Sequence, residues 1–152
     1  MRRGLAWTGL VVLVALVPAC RGVGGSASAG ADSSEQAVVQ FLSGARADDL
    51  QAISAVWGNQ ASPTRDRVDR QELERRLLIM VCHLRHDESR IGVAGRGEEG
   101  RTMHRVELVA DGNTITVPFT TVQNTRSGRW FVENVDLSPA RERCRAGTAD
   151  RR

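Results

Sequence analysis

The sequence predicts an α+β domain, with three N-terminal helices packed on one face of an antiparallel sheet of about four strands. Apolar residues between Glu35 and Leu84 recur at helical period, whereas those from Ile91 onward fall in short runs rich in Val, Ile, Thr and aromatics. Hairpin-type turn pairs separate these later runs. Helices first and consecutive hairpins afterwards place the helices together on one side of the sheet.

Ser33 and Gln36 have capping-box spacing, and Val38, Val39, Phe41, Leu42 and Ala45 form the apolar face of the first helix. Asp48 is placed to cap a second helix bearing Leu50, Ile53, Val56 and Trp57. Residues 58–64, with Pro63, read as a loop. The third helix is expected over 69–84, with Leu73, Leu77, Met80, Val81 and Leu84 inward. Its other face, with Arg70, Glu72, Glu74, Arg75 and Arg76, is a solvated one. Strands are expected at 91–93, 103–109, 114–122 and 130–137. Asp111-Gly112-Asn113 and Ser127-Gly128 supply the turns. Pro118 within the third strand points to an edge position or a bulge. With no internal repeat and no second core, residues 35–145 form one domain and 146–152 a disordered tail.

The N-terminus carries a different message. Arg2 and Arg3 precede an apolar run of 13 residues, Leu5 to Val17, and then Pro18-Ala19-Cys20. A basic start, an apolar centre and small residues at a cut make residues 1–19 a signal peptide. The run falls short of the roughly 20 residues that span a bilayer. Residues 20–34 follow as a Gly/Ser/Ala-rich tether with little to bury. Val17-Pro18-Ala19-Cys20 resembles the lipobox of bacterial lipoproteins, with Pro18 in place of the usual Ala, Ser or Thr. That resemblance implies a lipidated, palmitate-bearing Cys20 at the head of the mature chain. It also implies an extracytoplasmic place in the bacterial cell envelope, with the membrane as a partner through the lipid. Arg21 is not the Asp of inner-membrane retention, which favours the outer membrane or its periplasmic face in a cell with two membranes. A cut at Ala27-Ser28-Ala29, releasing a soluble secreted protein, is the competing reading.

Charge excludes one class of partner. Losing Arg2 and Arg3 leaves 19 arginines against 18 acidic residues, a net +1, so no nucleic-acid role is expected. Of three cysteines, a lipidated Cys20 leaves Cys82 and Cys144 as an even pair in an oxidising compartment. A bond between them would tie the third helix to the C-terminal segment and stabilise by roughly 3–4 kcal/mol in the chain-entropy model. Two free buried thiols are the alternative.

AVVQFLSGARADDLQAISAVW, a helical pair ending in Trp57, and GRWFVENVDL in the last strand resemble the nuclear transport factor 2-like superfamily. The segment MVCHLRHDESRIG also resembles small lipoproteins of unknown function. The superfamily resemblance implies that the sheet curves round the helices into a cone or roll, with a pocket in its concavity. Its isomerases and dehydratases pair a Tyr or His with one or two Asp there. This chain has no Tyr.

Candidate chemistry is sparse. His104, Glu107, Glu133 and Asp136 are the strand residues able to act as acid or base. Strand alternation groups Asp136 with Trp130 and Val132, on the face opposite Phe131, Glu133, Val135 and Leu137. Trp57, His104, Trp130 and Asp136 are therefore the candidate pocket residues. Cys82 with His86, four apart on a helix, would make half of a zinc site, but no second ligand pair has metal spacing, so no metal is expected. Nucleophile elbow, phosphate loop and HExxH motif are all absent, and no cofactor is expected. The leading expectation is a non-catalytic binding module for a small apolar ligand, a peptide or an envelope protein. The alternatives are a small cone enzyme using His104 or Asp136 as base, or a purely structural or interaction domain.

Overall fold

A computed structural model of the chain describes residues 28–144. The signal peptide, Cys20 and the tail at 146–152 lie outside the described residues. Helix α1 (Ser34–Arg46) starts at Ser33, whose Oγ accepts from the Gln36 N–H at 3.1 Å. The reciprocal arm reaches one residue further than in a capping box, since Gln36 Oε1 accepts from the Asp32 N–H at 3.3 Å. Ala37, Val38, Phe41, Leu42 and Ala45 are buried, but Val39 is 48% exposed and stands outside the core stripe.

Helix α2 (Leu50–Val56) is capped by Asp49, which accepts from the N–H groups of Gln51 and Ala52 at 3.0 Å. Asp48, expected to be the cap, instead has φ +53° directly after α1's C-cap, Ala47. It takes the left-handed turn that ends α1, so the cap passes to its neighbour. Gly44 lets the two helices approach closely, because a Cβ there would stand 2.8 Å from Ile53. Helix α3 (Arg70–His83) begins at Asp69, which accepts from the Glu72 N–H at 3.0 Å. Leu77, Met80, Val81 and Leu84 are buried with Leu73 packed beside them, while Leu78 and Ile79 face outward, 54% and 49% exposed.

The sheet is antiparallel throughout, in the order β1 (Glu88–Ile91), β3 (Thr102–Ala110), β4 (Asn113–Gln123), β5 (Trp130–Val135). A short β2 (Gly95–Arg96) pairs with the same side of β3 as β1 does, Ile91 opposite Val106 and Gly95 opposite Met103. These two pieces are one edge row interrupted at 92–94, so four rows result. The first row begins three residues before the expected run because Glu88, Ser89 and Arg90 are exposed and carry no apolar pattern. Asp111 and Gly112, with φ +50° and +73°, close Ala110 against Asn113 in a type I′ turn. At the second turn Asn124 Oδ1 accepts from the N–H groups of Arg126 and Ser127, at 3.0 and 2.9 Å.

Pro118 lies in a central strand and not at a bulge, contrary to its reading from sequence. Its carbonyl accepts from the Asp136 N–H at 2.9 Å, one residue beyond the end of β5. The side of β4 on which Pro lacks its N–H therefore faces the residue just past the end of β5, where the ladder is already ending. The bulge sits two residues on. Thr120 pairs with Asn134 and Thr121 with Val132, which leaves Glu133 as the extra residue.

His104, Val106, Leu108, Val117, Phe119, Thr121 and Val132 are all buried, and Phe41 of α1 meets Phe119 edge-on at 5.9 Å. The free side of β5 is covered by the chain itself. Ala31 exchanges backbone hydrogen bonds with Trp130 at 2.8 and 2.9 Å, and the Gly58 N–H donates to the Val132 carbonyl at 3.1 Å. Arg129 donates to the Gly30 carbonyl at 2.7 Å from Nη2 and also pairs with Asp32. Gly30 has φ +88°, and a Cβ there would stand 2.6 Å from Arg129 Cβ, so only glycine fits beneath this clasp. Gly30 and Ala31, inside the stretch read as tether, thus lie on the domain. At the other end the sulfurs of Cys82 and Cys144 are at bonding distance, 2.10 Å, joining the end of α3 to a helical turn over 141–144. Arg143 locks that turn to the β3–β4 hairpin by donating to the carbonyls of Leu108 and Asn113 at 2.9 and 3.0 Å. No helix among the described residues is long and apolar enough to cross a membrane.

Candidate functional site

His104 is on the inner face of β3, 2% exposed. Its Nε2 is 2.5 Å from Ser34 Oγ, which is 2.7 Å from Thr121 Oγ1, and the Thr121 hydroxyl reaches the Thr102 carbonyl at 3.2 Å. A carbonyl only accepts, so Thr121 spends its proton there. Ser34 must then donate to Thr121, and Nε2–H to Ser34. Nδ1 is left as a bare, buried acceptor with no partner among the described residues. Burial holds the imidazole below its ordinary pKa, opposed by the charge of Glu35. A Ser34 nucleophile would need the opposite tautomer, and burying an unpaired Nδ1–H costs roughly 1–3 kcal/mol. The chain of hydroxyls is arranged as a core hydrogen-bond relay.

The other three residues singled out in the sequence lie elsewhere. Trp57 and Trp130 are half-buried at the covered edge of β5, Trp57 bridged to Val132 and Trp130 to Ala31. The extra residue at Glu133 reverses the alternation of β5: Val135, opposite buried Phe119, shares the inner face with Val132. Asp136 consequently turns outward. It is exposed and accepts from the Ser138 N–H at 3.0 Å, and hydrogen bonding by Ser138 holds its carboxyl below the usual range. Glu133 forms a two-point ion pair with Arg101, at 2.5 and 3.2 Å, which raises the arginine's pKa. Glu107 is exposed on the outer face of β3. Helix α3 stops at His83, before His86, and Cys82 is committed to Cys144.

Concave space is found in other places. A groove of about 420 Å³ runs along the outer face of α3 past Leu78 and Ile79 to the Cys82–Cys144 bond. A second, of about 370 Å³, lies within the polar loop at 94–102, and a cleft of about 120 Å³ separates α2 from α3. The fourth, about 330 Å³, opens between α1 and β1 and is lined by Val39, Leu42, Ser43, Arg46, His86, Ser89 and Ile91. None of the four is lined by Trp57, His104, Trp130 or Asp136.

The groove between α1 and β1 has the chemistry of a binding site: an apolar base with a few polar groups around it. Val39, Leu42 and Ser43 come from the last turns of α1, which ends on Arg46. Arg46 is exposed, and no carboxylate among the described residues pairs with it. His86 is 6% exposed, and its Nδ1 stands 2.7 Å from the Leu84 carbonyl. Since that carbonyl accepts, Nδ1 carries the proton, and Nε2 is the ring nitrogen without a hydrogen-bond partner among the described residues. One signal for this groove was present in the sequence: α1's apolar stripe, with Val38 and Val39 adjacent, is wider than one buried face needs. His86 was read as the i+4 neighbour of Cys82, and the end of α3 at His83 takes it off that helix and into this groove.

No protein-family model matches the chain, and no curated protein matches it. Among solved structures the chain is similar to an M.tuberculosis LEH-like epoxide hydrolase, at 16% identity over 75% of this chain and 90% of that one, with a TM-score of 0.32. No residue role passes from that protein to this one.

Proposed function

We propose that this chain is an envelope lipoprotein, anchored through an acylated Cys20, whose single domain is a non-catalytic module that binds a small molecule between α1 and β1. The anchor rests on Arg2-Arg3, the apolar run to Val17 and the Val17-Pro18-Ala19-Cys20 ending. The pairing of Cys82 with Cys144 fits a chain that matures in an oxidising compartment. The observation that carries the binding role is the groove itself, an aliphatic base of Val39, Leu42 and Ile91 bordered by the exposed Arg46. What speaks for binding over catalysis is the Ser34–His104 contact, whose protons run away from the serine's role as nucleophile.

Labelled palmitate fed to cells making the wild-type chain should appear on it, and Cys20→Ser should abolish the label. Native mass spectrometry of the purified protein should then find a small molecule retained at one equivalent. An unlabelled wild-type chain sinks the anchor, and turnover of a retained molecule sinks the non-catalytic reading.

A further inference from the structure

We infer that the groove between α1 and β1 binds a small monocarboxylate with an apolar body. This deepens, and rests on, the reading of the domain as a binding module. The charge of the lining decides the class. Its one full charge is the Arg46 guanidinium, and no Asp or Glu lines the groove. An amine entering it would find no counter-ion, whereas a carboxylate meets a planar donor fork suited to two parallel hydrogen bonds. The hydroxyls of Ser43 and Ser89 add donors at the walls.

The apolar part of the ligand follows from the base. Val39, Leu42 and Ile91 give an aliphatic surface, and Val39 loses water-exposed area only when something covers it. A volume near 330 Å³ is at the small end for ligand sites, so the body is short. His86 Nε2 is a side-chain acceptor beside the two serine hydroxyls, and it takes a proton-bearing substituent on the acid or a bridging water. A phosphate or other compact dianion would leave the aliphatic base uncovered. A long acyl chain would exceed the space.

Hexanoate is the probe, titrated into the ¹⁵N-labelled full chain, with hexylamine and hexan-1-ol as controls. Saturable amide shifts confined to 39–46 and 86–91 are expected for hexanoate and not for the other two. Arg46→Gln should weaken hexanoate by about tenfold or more, the scale of a lost two-point charged contact. Val39→Glu, a change at an exposed position, should do the same by placing a like charge in the groove. Arg105→Gln, on the outer face of β3, should leave binding unchanged. No saturation by hexanoate, equal shifts with hexylamine, or full binding by both groove variants overturns the inference. An unacylated chain that binds hexanoate overturns the anchor alone, and an acylated chain that ignores it overturns this inference alone.

Discussion

His104 shows how one side chain can be read correctly in place and differently in role. Its spacing from Val106 and Leu108 puts it on the inward side of β3, and that much is legible from alternation. Its partner is not, because Ser34 lies seventy positions away and only the packing of α1 across β3 and β4 brings it to 2.5 Å. The relay has a consequence for acid stability. Burial lowers the folded pKa, so the native protein resists a proton that the unfolded chain accepts from its ordinary value, about 6.5. This contribution is complete above that value. It is lost as pH falls through about 6.5 toward the folded pKa. Urea midpoints at about pH 7.5 and about pH 5.5 should drop more for wild type than for His104→Gln, whose amide still donates to Ser34. The other two histidines are common to both chains, so the difference isolates this one. Parallel losses would mean that Nδ1 has a hydrogen-bond acceptor when protonated.

Elements were legible where a periodic face is half buried, and their ends were not. α3 falls within one residue of its expected limits because Asp69 caps it and Leu77, Met80, Val81 and Leu84 stripe one face. α2 differs at its start because two adjacent aspartates can each cap, and sequence does not say which one enters the left-handed region. The structure assigns these tasks to Asp48 and Asp49 separately, which gives opposite expectations for two neighbours. Asp49→Ala should cost about 1 kcal/mol, the usual loss of an N-cap side chain. Asp48→Gly should be neutral or stabilising, since glycine adopts φ +53° without strain. Denaturant melts of the two variants decide it, and equal losses would return the cap to Asp48. In β5 the failure was of register. A single extra residue at Glu133 inverts every side chain beyond it, and nothing in Trp130 to Asp136 marks that insertion in advance.

For the whole molecule, the order of helices and strands carried the layer arrangement, and the even cysteine pair carried its closure. The groove was out of reach because it belongs to no local pattern: Arg46 ends one helix, His86 follows another, and Ser89 and Ile91 lie in an edge strand. The Cys82–Cys144 bond closes a separation of 62 residues. Its removal by reduction, or by Cys82→Ala, should cost of the order of 3–4 kcal/mol, read as a lower urea midpoint. An unchanged midpoint would mean that Arg143 and the surrounding packing hold the C-terminal turn unaided. The clasp of Arg129 over Gly30 bears on geometry at a larger distance. With an anchor at Cys20, only residues 21–27 separate the fat from the first described position, a reach of at most ~28 Å even when drawn straight. That leash enters beside β5, while Arg46 and His86 border β1 at the opposite margin, three strand spacings or about 14 Å across the sheet. On the proposed anchor and ligand, the leash thus meets the domain at the margin away from the acid's groove, and tethering leaves that groove unobstructed.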